Sequence, residues 1–281
     1  MSNKCSKLKI VVFDLDETLG YFSEFGMIWD AITKKTPNQN ISQALFDEIL
    51  DLFPEFLRPN ILNILNYLKQ QKIRSNCNKL ILYTNNQGPT EWARYIIKYF
   101  ENKLEYKLFD QIIAAYKING KQVEMCRTTH SKTHDDLLKC TKLSQNTEIC
   151  FLDDLYHPGM DNDNIYYINL KPYKYDLNFT EILNRVINYL KKPNSNTYLT
   201  ISGKNQNEFK ENEFKEQFIK YLNRYHYIPK HKTPEEQQVD KIISKRILHH
   251  LKDFFNRTQN KITQKYHKYY VKNKTLKNKK L

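Results

Sequence analysis

The sequence of 281 residues predicts an α/β fold: a parallel sheet flanked by helices, followed by a basic, mainly helical C-terminal extension. Three observations predict it. Short apolar, β-branched runs alternate with helical patterns through residue 190, and that order builds a parallel sheet by crossover connections. Three of the runs stop at conspicuously polar residues, Asp14-Leu15-Asp16, Thr84-Asn85-Asn86 and Asp153-Asp154. Charge is also divided: residues 1–190 hold 23 basic and 23 acidic residues, residues 191–281 hold 22 and 8, so the whole net charge of +14 lies in the second part. The change falls at the polar stretch Lys191-Lys192-Pro193-Asn194-Ser195-Asn196 and predicts two units, 1–190 and 191–281.

Each element has its own warrant. Leu8 to Phe13 is a buried-strand run that ends on acids. Residues 20–40 read as irregular. Ile41 to Phe53 has apolar residues at helical spacing. Pro59 suits the first turn of a further helix with Ile61, Leu62, Leu65 and Leu68 on one face. Leu80 to Tyr83 is a second strand and Thr90 to Phe100 a helix. Ile112 to Ala115 and Gln122 to Met125 read as weak strands. Thr133-His134-Asp135-Asp136 resembles a capping box opening a helix to about Lys142. Glu148 to Leu152 and Ile165 to Ile168 complete the strands. The whole order is that of a Rossmann-like sheet.

Composition excludes several classes. With 40% hydrophobic and 13% aromatic residues the chain can build a core. Only 6 glycines occur, and neither GxxxxGK nor GxGxxG is present, so a glycine-rich phosphate loop is not expected. The polar, basic Met1 to Lys9 and the short apolar run after it do not predict a signal peptide. The five cysteines, Cys5, Cys77, Cys126, Cys140 and Cys150, are scattered without a CxxC pair. They read as belonging to a reducing compartment. An intracellular location, nuclear or cytoplasmic, is expected.

The polar strand ends carry the chemistry. Asp14 and Asp16, separated by one residue in a loop leaving a strand, can converge on one point. One carboxylate can attack phosphorus, and the second can protonate the leaving oxygen and then activate water. Close acids repel, so a divalent cation is expected between them, and Mg²⁺ suits hard oxygen ligands. Asp153-Asp154 supplies the further carboxylates that such a metal site needs. Thr84 and Asn85 can hydrogen-bond a phosphoryl oxygen. Lys132, just before the capping-box helix, can neutralise the phosphoryl group and the crowded acids. Taken singly, each motif is also what an ordinary polar turn looks like.

Their order changes that. Strand-DxDxT (Asp14 to Thr18), strand-Thr84, Lys132 before a helix and strand-Asp153-Asp154 resemble the haloacid-dehalogenase superfamily of phosphotransferases. Within it, Asp14-Leu15-Asp16-Glu17-Thr18-Leu19 is similar to the DLDETL of the RNA polymerase II C-terminal-domain phosphatases, a group that includes the NLI-interacting-factor-like proteins. Phe56-Leu57-Arg58-Pro59, Tyr83-Thr84, Trp92-Ala93, Arg127 and Asp136-Leu137 extend the similarity over about residues 8–175; Asn60 stands where that family has Gly. The resemblance implies a Mg²⁺-dependent protein-serine/threonine phosphatase working through an aspartyl-phosphate. Asp14 would be nucleophile, Asp16 general acid and base, and Thr84 and Lys132 phosphoryl ligands. Thr18 would shape the loop. The metal would be held by Asp14, the main-chain carbonyl of Asp16, and the Asp153-Asp154 pair, with Asp154 the direct ligand. Lys132 stands further upstream of the Asp-Leu than the family's lysine, with His134 and Lys139 nearby. Residues 20–55 depart from the family's β-rich insert.

A zinc reading of Cys126, His130 and His134, spaced by four, lacks a fourth ligand. In the basic region, Thr233-Pro234-Glu235-Glu236 predicts a capped helix carrying Val239, Ile242, Ile243, Ile247, Leu251 and Phe254. Phe209, Phe214, Phe218 and Leu222 predict an earlier one. Residues 241–281, with 13 basic residues and one acid among Tyr266, Tyr269 and Tyr270, can attract nucleic acid or an acidic protein. A phosphoprotein substrate is the expected partner. The competing readings are a nucleic-acid-end phosphatase and a catalytically silent phosphopeptide- or RNA-binding adaptor.

Overall fold

The computed structural model describes residues 7–33, 42–191, 211–224 and 229–257. Its centre is a five-stranded sheet of β1 (Lys9–Phe13), β2 (Lys79–Tyr83), β3 (Gln111–Ile113), β6 (Glu148–Asp153) and β7 (Ile165–Asn169). The order is β3-β2-β1-β6-β7, and every pairing is parallel. The chain builds outward from β1 to β2 and β3, then crosses to the other side of β1 for β6 and β7. That reversal is the place where an open α/β sheet forms its crevice. Phe13 pairs with Leu82 and with Leu152, so Asp14 and Asp153 leave the sheet at the same level.

The strands are apolar on both faces because both faces are covered. Val11, Phe13, Leu80, Leu82, Cys150 and Leu152 face one core, and Ile10, Val12, Ile81, Tyr83, Ile149 and Phe151 the other. The helices are α1 (Ser23–Thr33), α2 (Gln43–Asp51), α3 (Ile61–Ile73), α4 (Thr90–Leu104), α5 (His134–Thr141), α6 (Phe179–Leu190), α7 (Glu211–Arg224) and α8 (Pro234–Asn256). The α/β class with a parallel sheet is as the sequence predicts.

Several elements differ from the sequence expectation. The stretch read as irregular contains α1. Phe25, Ile28 and Trp29 share one face of it, and the rings of Phe25 and Trp29 close on Phe46 of α2 at 5.1 Å and 5.0 Å. The aromatic packing overrides Gly26 inside the helix and the absence of a clear cap. Helix α3 starts at Ile61, past Pro59, because Asn60 takes a left-handed backbone with φ 63°; Asn is among the few residues that do so readily. Of Gln122 to Met125, only Gln122 lies in a strand. Lys117–Ile118 (β4) and Lys121–Gln122 (β5) form a small antiparallel hairpin around Asn119 and Gly120, with φ 48° and 78°, the left-handed pair a two-residue turn demands.

In the basic region, Thr233 caps α8 with both halves of a capping box, as its sequence predicts. Helix α7 lies on α1, and α8 lies on α3 and β7. Lys9 Nζ at the start of β1 donates to the carbonyl of Phe254 (3.0 Å) near the end of α8. The expected linker residues 192–196, Phe209 and the tyrosine-bearing tail lie outside the described residues. Cys126 and Cys140, which show no pairing signal in sequence, form a disulfide across 14 residues; Cys77 and Cys150 are free and buried. The sulfur of Cys126 is thereby taken up, which removes it from the zinc reading. Among the described residues no helix is long and apolar enough to cross a membrane.

Candidate active site

Strands β1, β2 and β6 end side by side, and each delivers a polar residue to the same edge. Asp14 follows β1 and its amide donates to Leu152 O of β6 (2.9 Å). Asp153 is the last residue of β6 and is 1% exposed. Lys132, also 1% exposed, places its ammonium between them: Nζ donates to Asp14 Oδ1 and, at 2.6 Å, to Asp153 Oδ2. Asp153 Oδ1 accepts from Leu155 N (2.8 Å), and His157 Nε2 stands 3.3 Å from Oδ2. Carboxylate oxygens of Asp14, Asp153 and Asp154 all lie within 4.8 Å of one another.

Lys132 is brought there by a built loop. Buried Arg127 donates to Ala114 O (2.9 Å) and Thr84 O (3.2 Å) with Nη1 and to His130 O (2.9 Å) with Nη2. Its guanidinium lies 4.8 Å from the Tyr83 ring centre. Asp136 accepts from Thr128 N (3.0 Å) and Oγ1 (2.9 Å), while Thr133 caps α5 by accepting from Asp136 N (3.1 Å). The capping signal is thus half of a box: the acid ties down the upstream loop instead of Thr133. Of the two alternative cations, Lys139 is exposed. His134 is buried, and burial lowers its pKa, so it is a poor source of charge.

Thr84 closes the second strand end, buried, with its Oγ1 accepting from Asn86 N (3.0 Å). That leaves its own proton for an incoming oxygen. Asn86 Nδ2 donates to Asp16 Oδ2 (2.7 Å), and Asn86 Oδ1 accepts from Gly88 N (2.8 Å). Asn86 therefore orients Asp16, while its neighbour Asn85, the expected phosphoryl ligand, is exposed. Thr18 Oγ1 donates to Asp154 Oδ1 (3.3 Å). Asn169 Nδ2 donates to the carbonyls of Asp153 (3.2 Å) and Asp154 (3.3 Å). Asn86 closes the polar triplet Thr84-Asn85-Asn86 but with no role announced, and Asn169 and His157 had no motif at all. Only their position, within three residues of a strand end or an acidic pair, could have raised them.

The electrostatics follow from one ammonium shared by two carboxylates, with further acids close by. Burial works against charge on Lys132, but Asp14 and Asp153 outweigh it and raise its pKa. Asp153 is held below the ordinary carboxylate range: burial opposes this, and Lys132 and His157 overcome it. Asp14 is pushed up to about 8 by burial and by Asp153 and Asp16, against the pull of Lys132. Asp154 is pushed up to about 6 by burial, Asp153 and Glu17. Burial also raises Asp16, against the hydrogen bond from Asn86. Three hard oxygen donors with more negative charge than their surroundings neutralise fit a small divalent cation of the Mg²⁺ kind.

No protein-family model matches the chain, and neither does a curated protein or a solved structure.

Proposed function

We propose that the chain is a Mg²⁺-dependent phosphomonoesterase of the haloacid-dehalogenase type, acting on phosphoserine or phosphothreonine in proteins. One observation carries the reading. Three carboxylates from two separate strand ends meet within 4.8 Å around a fully buried lysine, and at the neighbouring strand end the buried Thr84 hydroxyl has no acceptor for its proton among the described residues. Buried acids are costly to assemble for stability alone, and such clusters mark functional sites.

In this reading Asp14 Oδ attacks phosphorus, and the seryl or threonyl oxygen leaves with the proton of Asp16. Asp16, now ionised, takes a proton from water as that water attacks the aspartyl-phosphate, releasing inorganic phosphate and regenerating Asp14. Thr84 Oγ–H and Lys132 Nζ hold the phosphoryl oxygens, and Asp153 holds Lys132 in place. Asp14, Asp154, Asp153 and the carbonyl of Asp16 would hold Mg²⁺, which supplies positive charge to the phosphoryl oxygens. A raised Asp16 suits its part, since burial favours the protonated carboxyl that a general acid presents to the leaving group.

The test is hydrolysis of an aryl phosphate by the full chain with Mg²⁺, with chelator, and as Asp14→Asn. Activity should vanish in the last two. Undiminished turnover by the Asn variant would remove Asp14 as nucleophile, and with it this mechanism. A panel of phosphopeptides and of phosphorylated DNA and RNA ends then separates protein from nucleic-acid substrates.

A further inference from the structure

The loop that carries Asp14 and Asp16 is held from outside. Glu17 has a left-handed backbone, φ 56°, unusual for a residue with a side chain. Its carbonyl is held twice, by Arg58 Nη2 and by Tyr173 N (2.9 Å). Arg58 Nε also donates to Thr18 O (2.6 Å) and Nη2 to Lys171 O (3.0 Å). Arg58, 1% exposed, is therefore a fork gripping three main-chain carbonyls, none of which carries a full charge to balance it.

Arg58 Nη1 and, on α8, Asp240 Oδ1 are both buried with no hydrogen-bond partner among the described residues. Asp240, buried in the second turn of that helix, pairs with Lys232. Lys232 Nζ sits 4.2 Å from the centre of the Tyr173 ring, and Arg58 Cζ lies 5.5 Å from the same ring. Tyr173 OH in turn donates to Glu55 O (2.7 Å). The segment entering α8 is fastened beside this stack, where Lys230 N donates to Asp176 Oδ2 (2.9 Å). Burial lowers the Arg58 pKa to about 10, and Asp240 is the foremost charge resisting that fall.

We propose that α8 is a working part of the active site, and that Asp240 is a positioning residue that keeps the Arg58 fork closed on the Asp14–Thr18 loop. The inference rests on the phosphatase reading only for its effect on rate; the grip on the loop is independent of it. A loose fork lets Glu17 relax from its strained backbone and shifts the carbonyl of Asp16 next to it. A displacement of about 1 Å at reacting groups can cost roughly 100-fold in rate.

The experiment compares full-length wild type with Asp240→Asn by hydrogen exchange and by aryl phosphate hydrolysis. The peptide covering 14–20 should exchange roughly tenfold faster in the variant, with the β2 peptide unchanged, because the opening is local. The turnover number should fall roughly 10- to 100-fold with the Michaelis constant within about twofold. A variant that merely destabilises the whole molecule would speed both peptides together. If Asp240→Asn does not fold, Lys232→Met, near the surface, frees Asp240 for Arg58 and should slow exchange of 14–20 with the β2 peptide unchanged. Unchanged exchange of 14–20 in a folded variant overturns the proposal. Selective loosening in a chain whose wild type hydrolyses nothing would instead retain the fork and discard the phosphatase reading.

Discussion

Glu24 shows how much one buried residue can bind stability to pH. It lies on α1 with no exposed surface, its two carboxylate oxygens sharing the amide of Leu177 at 3.2 Å. Burial pushes its pKa from 4.5 to about 9, with Asp176 adding to the rise. The folded chain thus holds a proton that the unfolded chain has lost. By linkage, the Glu24 contribution to stability is complete below about 4.5, falls as pH rises, and is lost through about 9. Glu24→Gln keeps the shape and removes the titration. Urea midpoints at pH 5 and pH 8.5 should differ less in the variant than in wild type, with the variant the more stable at pH 8.5. An unchanged difference would show that Glu24 is not the group responsible. At this scale the sequence is generous with charged site residues and silent on their holders. Asp14, Asp16, Thr84 and Asp154 are legible because they follow apolar runs, and Lys132 because it stands just before a capped helix. The roles of Asn86 and Asn169 are not, because an amide at a strand end looks like any polar turn residue until its partner is known.

Among the elements, the strands and the capped helices were readable for local reasons: β-branched runs, Thr-Pro-Glu-Glu at α8 and Thr-His-Asp-Asp at α5. Helix α1 was not, since its stability lies in rings contributed by α2 and, far away in sequence, by α4. The Asn119-Gly120 turn carried a readable signal that the weak-strand reading of its surroundings obscured. The short turn Pro158–Met160 illustrates a constraint that only packing reveals. A Cβ on Gly159 would stand 2.7 Å from Thr133 Cγ2 and 3.1 Å from the carbonyl of Lys132. Gly159→Ala must therefore push away the residue that delivers the ammonium. Overpacking of this kind costs about 1–3 kcal/mol, and the variant should lose turnover beyond what its lowered melting temperature explains. Wild-type turnover and melting temperature in Gly159→Ala would mean that the turn yields freely.

For the molecule as a whole, charge is what the sequence foretold most clearly and the structure reshapes most usefully. The basic part is not uniform. Helix α8 buries Ile243, Ile247, Leu251 and Phe254, so a cut at residue 241 would strip apolar cover from α3 and β7 along with the lysines. Residues 258–281 contain eight lysines and no acid, and removing them alone tests the polyanion role cleanly. That truncation should retain the melting temperature while losing salt-sensitive binding to single-stranded nucleic acid. The log–log salt slope should fall by about 0.7 for each phosphate contact removed. Retention of the full slope would assign nucleic-acid affinity to another surface or to none.

The two sealed thiols offer an internal stopwatch. Burial lifts Cys77 to about 12 and Cys150 well above its ordinary value, and a protonated, enclosed sulfur is inert towards alkylating agents. In a Cys5→Ser background, with the Cys126–Cys140 bridge oxidised, reagent uptake would therefore count excursions of the central sheet at Cys150 and of the segment leading into β2 at Cys77. Fast labelling of both under native conditions would mean that the interior breathes far more readily than its close packing implies.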